Sequence, residues 1–269
     1  MNILLLGDIF GPSGRKAVIE KLPYLIKKKK LDFVIVNGEN AADTGAGITK
    51  KIVDEFFKAG VDVITTGNHI WDQQETSEFI SNEKRLLRPQ NLTEGSPGKG
   101  YGIFDSNNKK KVAVINLMGN IFMKKCENVF EEAKKIIQII ELKKDADFII
   151  VDMHGEITSE KMAIGYLFDG KATMVVGTHT HVPTSDHRIM EKGTAYQTDV
   201  GMCGDYKSII GMDRDNSLKK FLKDPTAKRH YPALGEATIS GLMVTADNKT
   251  GLAKKVEPII LGKHLENRL

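Results

Sequence analysis

Short apolar runs recur along the chain at Asn2–Leu6, Asp32–Asn37, Val61–Thr65, Val112–Leu117, Asp147–Asp152, Thr173–Gly177 and Thr194–Thr198. They read as strands, and Ala172-Thr173-Met174-Val175-Val176, a short β-branched run, fits a pleated, buried sheet. Helical periodicity fills several of the gaps. Ser13–Lys28 predicts one helix, broken or kinked at Pro23. Thr49–Ala59 predicts a second, stopped by Gly60, and Val129–Leu142 and Ser159–Leu167 predict two more. The alternation argues for α/β architecture, a largely parallel sheet with covering helices. Tyr101–Phe104 and Lys111–Ile115 flank Ser106-Asn107-Asn108 as a hairpin. Ala237–Thr245 and Lys254–Ile260 read as another, which predicts a mixed or second sheet. With no linker, low-complexity stretch or repeat, 1–269 is expected to form one domain.

Composition changes this picture little. The chain has 269 residues, 41% hydrophobic and 28% charged, as an ordinary globular protein with a substantial core does. No apolar run approaches membrane-spanning length. The start, Met1-Asn2-Ile3-Leu4-Leu5-Leu6-Gly7-Asp8, lacks a basic leader and reaches Asp8 too soon for a signal peptide. Cys126 and Cys203 have no metal or redox spacing and are expected as reduced thiols in a cytoplasmic protein. The net charge of +4 is scattered, and its densest cluster, Lys27-Lys28-Lys29-Lys30, ends a helix where cations suit the macrodipole. Without aromatic–basic interleaving, no nucleic-acid partner is expected.

The chemistry gathers where the strands end. Gly7-Asp8-Ile9-Phe10-Gly11, Asn37-Gly38-Glu39-Asn40, Gly67-Asn68-His69, Asp152-Met153-His154-Gly155 and Gly177-Thr178-His179-Thr180-His181 each follow or close a strand. Each residue alone reads as a cap or turn residue. In parallel, with no glycine-rich dinucleotide or P-loop motif, they are harder to explain that way. In open α/β sheets, ligands bind at the C-terminal strand ends. Gly177 should end its strand, and an extended loop after it would turn His179 and His181, two residues apart, to one side. Carboxylate, amide and imidazole donors without thiolate suit Mn, Fe or Zn rather than a structural zinc site. Their number exceeds one tetrahedral ion and suits two, with Glu39 as the shared negative ligand.

Gly67-Asn68-His69 and His179-Thr180-His181 resemble blocks of the calcineurin-like metallophosphoesterases, and matching blocks run in order from Asp8 to His181. The resemblance is closer to the YmdB-type branch, through Gly7-Asp8-Ile9-Phe10-Gly11, Asn37-Gly38-Glu39-Asn40-Ala41-Ala42, Gly67-Asn68-His69-Ile70-Trp71-Asp72 and Gly177-Thr178-His179-Thr180-His181-Val182. Where the wider superfamily has Asp-x-His, Phe10 stands in place of the histidine, and Glu39 stands for the usual bridging Asp. Asn40 is the residue available for the missing ligand. The resemblance implies a four-layer α/β/β/α sandwich with mixed sheets. It assigns Asp8, Glu39, Asn40 and His181 to one metal, and Glu39, Asn68, His154 and His179 to the other. The metals implied are iron first, with manganese or zinc as alternatives. His69 becomes the proton donor to the leaving oxygen after attack by metal-held hydroxide. The implied substrates are small phosphodiesters, notably 2′,3′-cyclic nucleotides, and a homo-oligomer is compatible with this reading.

Two rivals stand beside it: a metal- or nucleotide-sensing regulator with little turnover, and a phosphomonoesterase on the same site. A sensor has no need of a proton donor. Asp72, Glu156 and Asp199 lie near site segments and are candidates to orient ligand imidazoles. Ser13 reads as a helix N-cap and Arg15 as solvated, although the helix start after Asp8 could also meet a phosphate. His187, His230 and His264 match no block and are read as packing or surface residues.

Overall fold

A computed structural model describes residues 1–269. Two sheets lie face to face, each covered by helices on its outer side. The first has five strands in the order Ala253–Leu261, Ile239–Ala246, Asn2–Leu6, Phe33–Asn37 and Val63–Thr65. Its last three strands are parallel, and the C-terminal hairpin joins them antiparallel through Ile239–Ala246. The second has six, in the order Tyr101–Asp105, Lys111–Met118, Phe148–His154, Met174–Thr178, Ala195–Gln197 and Arg188–Ile189. Its four central strands are parallel and both edge strands antiparallel. A short parallel pair joins Asp8–Ile9 to Met202–Cys203.

The strand pattern explains the layering. Ile3 and Leu5 point between the sheets, while Leu4 and Leu6 point toward the outer helices. Phe33 and Ile35 alternate in the same way with Val34 and Val36. In the second sheet Val112 and Val114 face inward, and Ala113 and Ile115 outward. Three apolar clusters result, one per interface of a four-layer α/β/β/α sandwich. The runs are continuously apolar because both faces of each central strand are buried.

Helices Gly11–Lys29 and Lys50–Lys58 cover the first sheet; Val129–Ile139 and Thr158–Phe168 cover the second. The first helix is not broken at Pro23. Pro23 lies on its exposed side, where water can satisfy the carbonyl one turn earlier. The helix starts at Gly11 with no side-chain cap, and Ser13 instead bonds the Ala233 carbonyl. Arg15 is not solvated: it donates to the Ala41 carbonyl at 2.5 Å and to Asp43 at 2.7 Å. Gly177 does not end its strand, which runs to Thr178. A Cβ there would meet the Thr198 carbonyl oxygen at 1.8 Å, so glycine lets two backbones approach. No helix is long and apolar enough to cross a membrane.

Candidate metal centre

The C-terminal ends of the parallel strands of both sheets meet at one edge. The first sheet brings Asp8, Glu39 and Asn68; the second brings His154, His179 and His181. Asp8, Glu39 and His154 are at most 1% exposed, Asn40 3% and His181 6%.

His154 is the hub. Its Nε2 lies 3.0 Å from Glu39 Oε1, 3.0 Å from Asn68 Oδ1 and 3.1 Å from His179 Nδ1. Its Nδ1 donates to Thr178 Oγ1 at 2.9 Å, and that hydroxyl donates to Asp152 Oδ1 at 2.7 Å. The Thr178 proton is committed to Asp152, so the imidazole Nδ1 must carry hydrogen and Nε2 offers its lone pair. Asp152 is held in turn by Thr65 Oγ1 at 2.5 Å and Asn37 Nδ2 at 3.1 Å.

The other histidines follow the same logic. His179 places Nε2 3.2 Å from Glu156, which leaves Nδ1 as an acceptor facing His154. His181 Nδ1 donates to the Ile210 carbonyl at 2.7 Å, which leaves Nε2 turned toward Asp8 Oδ1, 4.0 Å away. The ring of Phe10 packs edge-on to it, with centroids 5.2 Å apart. The loop is not extended: His179 has φ +97° and His181 φ +67°, both in the left-handed region. The two imidazoles reach one site through these turns rather than through strand alternation.

Acceptor atoms thus face one another in a buried space, an arrangement that a cation between them would satisfy. Asp8 Oδ1 and Asn40 Oδ1 are buried without a hydrogen-bond partner. Asn40 lies beside the Asp8 segment, its carbonyl accepting from the Gly11 N–H at 2.8 Å. A Cβ on Gly67 would meet His154 at 2.2 Å and Glu39 Oε2 at 2.3 Å, so only glycine fits against this cradle. The electrostatics agree. Burial alone would depress His154, but buried Glu39 beside it raises it to about 9, so a metal-free chain draws a proton into the same place. Burial pushes Asp8 up to about 6, opposed by His181 and His154. Burial depresses His179 to about 3, which keeps it a neutral donor. Burial also raises the Cys203 thiol to about 12 and the Cys126 thiol to about 11, and neither belongs to the cluster. The oxygen and nitrogen donors present fit divalent transition ions.

His69 stands apart on the rim, its side chain 34% exposed. Its backbone N–H donates to Glu39 Oε2 at 3.1 Å, while its ring turns away and bonds Asp72 Oδ2 through Nδ1 at 2.7 Å. Lys124 holds the other Asp72 oxygen at 3.2 Å. Asp72 and Glu156 therefore contact imidazoles, whereas Asp199 does not: it grips Thr180 between the two histidines. His187, His230 and His264 contact none of the cluster residues; His264 lies 3.7 Å from Asp205.

Sequence reasoning missed Asp152, Lys124 and the Ile210 carbonyl as supports. Asp152 carried a signal, a carboxylate inside a strand apolar on both faces. The Ile210 contact carried none, because any residue supplies a carbonyl.

A chain with this four-layer fold and an N/O donor cluster at its strand ends is of the metallophosphoesterase type. Residues 4–259 match the model of the family described as YmdB-like protein. A 2′,3′-cyclic-nucleotide 2′-phosphodiesterase of Bacillus subtilis is 46% identical over 261 residues, 97% of each chain. A solved structure described as a novel phosphatase of Mycoplasma pneumoniae superposes with TM-score 0.89 at 37% identity, over 97% of this chain and 93% of that one. A structure of a hypothetical protein from Thermus thermophilus gives TM-score 0.88 at 35% identity, over 98% of this chain and 100% of that one. The chain belongs to the YmdB-like family.

Proposed function

We propose that this chain is a phosphodiesterase with a two-ion centre, acting on 2′,3′-cyclic nucleotides. The observation that carries the reading is the convergence of Glu39 Oε1, Asn68 Oδ1 and His179 Nδ1 within 3.1 Å of His154 Nε2. The name of the Bacillus relative supports the substrate class. Asp8, Glu39, Asn40 and His181 would hold one ion, and Glu39, Asn68, His154 and His179 the other. Iron is the first candidate, with manganese and zinc as alternatives. When bound, such ions neutralise phosphoryl oxygens and supply a nucleophile at neutral pH.

The remaining roles fall to side chains. Glu39, common to both groups, would offset the repulsion between neighbouring cations. The Asp152–Thr178 chain holds the His154 ring in the tautomer a ligand needs. His69 gives its Nε2 proton to the departing ribose oxygen, while Asp72 bonds Nδ1 and keeps the ring aimed. A proton donor on the rim is what distinguishes an enzyme from a sensor with little turnover. The free thiols Cys126 and Cys203 fit a reducing compartment such as the cytoplasm.

The phosphatase description of the Mycoplasma relative favours phosphomonoester turnover as a second reading. One screen separates them. Chelator-stripped protein resupplied with iron(II), manganese or zinc is assayed on 2′,3′-cyclic nucleotides, bis(p-nitrophenyl) phosphate and p-nitrophenyl phosphate. Diester and cyclic-nucleotide turnover should dominate. Preference for the monoester, or no turnover with any ion, overturns the proposal.

A further inference from the structure

One charged pair plays no part in these roles. Lys161, from the helix Thr158–Phe168, and Asp199 are each 1% exposed, and Lys161 Nζ lies 2.7 Å from Asp199 Oδ2. Gly177 makes room for the lysine: a Cβ there would meet Lys161 Cδ at 2.6 Å. Burying such a pair rarely adds net stability, and apolar replacements are often neutral or better. Something other than stability has to account for it.

Its other contacts indicate what. Asp199 Oδ2 also accepts from the Thr180 N–H at 3.1 Å and the Thr180 hydroxyl at 2.7 Å, while Oδ1 accepts from the Gly201 N–H at 2.8 Å. Thr180 is the single residue between His179 and His181, both held at positive φ. Side chains with a Cβ stay in that region only where surrounding contacts over-determine the backbone. On either side of Thr180, Asp8 takes the His179 N–H and the Ile210 carbonyl takes the His181 ring. Asp199 supplies the middle grip. Four donors converge on its two oxygens, and one of them is the Lys161 ammonium.

We propose that Asp199 and Lys161 are positioning residues that hold the His179-Thr180-His181 turn in its metal-binding shape and thereby set metal affinity. This rests on the metal-centre reading above. Removing groups that orient metal ligands typically weakens affinity about 10- to 100-fold.

The test combines Lys161→Met with Asp199→Asn. The amide has one oxygen where the carboxylate has two, so it cannot accept from both Thr180 and Gly201. Manganese dissociation constants are measured on stripped protein by competition with a chromophoric chelator, alongside the Tm of the stripped chain. The double variant should bind manganese at least about tenfold more weakly while its metal-free Tm changes little, and excess manganese should restore turnover. Thr180→Val, which removes only the hydroxyl contact, should show a smaller loss in the same direction, and it decides the matter if the double variant does not fold. Unchanged affinity in a folded variant overturns this inference alone, as does a fall in Tm with affinity intact. Failure of the unsubstituted chain to bind manganese, iron(II) and zinc alike overturns the metal-centre reading and this inference with it.

Discussion

Asp8 holds the backbone N–H of His179 at 3.0 Å through Oδ2, while its other oxygen, fully buried, meets no donor. The contact spans 171 residues of sequence and joins the strand ends of the two sheets. A buried carboxylate oxygen left bare costs several kcal/mol unless a cation lies beside it. Asp8 therefore fastens the cluster together and still has a lone pair to give.

Metal uptake should then appear as stability. At a hundredfold excess over its Kd, an ion adds about 2.7 kcal/mol per site to the folded state. Calorimetry on stripped protein should show Tm rising with manganese, and elemental analysis should saturate at two ions per chain. Asp8→Ala should lower both. Saturation at one ion, unchanged by Asp8→Ala, would exclude a shared centre.

Glu39 is predicted to matter more than any histidine outside the cluster. Glu39→Gln keeps the shape but removes the charge that two cations would share, so turnover should fall at least about 100-fold with metal loss. His187→Gln should stay within about twofold, since substitutions away from such features have small effects. Equal losses in two folded variants would count against the bridge.

For His69 the prediction depends on the leaving group. A ribose alkoxide leaves poorly without a proton, and p-nitrophenolate needs little help. His69→Ala should keep its metal and lose about 10²- to 10⁴-fold on cyclic nucleotides. The loss on bis(p-nitrophenyl) phosphate should be clearly smaller. A uniform loss, or loss of metal, would assign His69 to packing or to holding Asn68.

Away from the centre, burial raises Asp62 from 3.8 to about 6, opposed by its bond from the Val34 N–H and by Arg85. The folded state thus binds this proton more tightly than the unfolded chain. That stability is fully present below pH 3.8 and is lost as pH rises through about 6. Asp62→Asn keeps an acceptor for Val34 without the charge. In chelator, the two proteins should match near pH 4, and the variant should be more stable near pH 8 by on the order of 1 kcal/mol after solvent screening. A difference independent of pH would contradict this.

Much of this molecule was legible in the sequence because both faces of its central strands are buried. Runs such as Phe148–Val151 have no solvent side to blur them, and the C-terminal hairpin announced itself through Asp247-Asn248-Lys249-Thr250-Gly251. The polar strand ends stood out for the same reason, as interruptions of apolar runs. What was not legible depends on long-range contact. Pro23 does not break its helix because that turn faces water, which periodicity alone does not reveal. Arg15 is anchored by Ala41 and Asp43, a loop of different local pattern. The turn that brings His179 and His181 together takes its shape from Asp8, Asp199 and Ile210, at distances of 171, 19 and 29 residues. No local propensity predicts left-handed histidines.

The central claim is that a shared two-ion centre performs phosphodiester hydrolysis. Its most direct test is a titration of stripped protein with the activating ion, following bound metal and 2′,3′-cyclic-nucleotide turnover in the same samples. Turnover should be absent in chelator, stay low through the first equivalent and rise with the second, with Glu39→Gln flat throughout. Full turnover at one bound ion, or undiminished turnover in chelator, would contradict it.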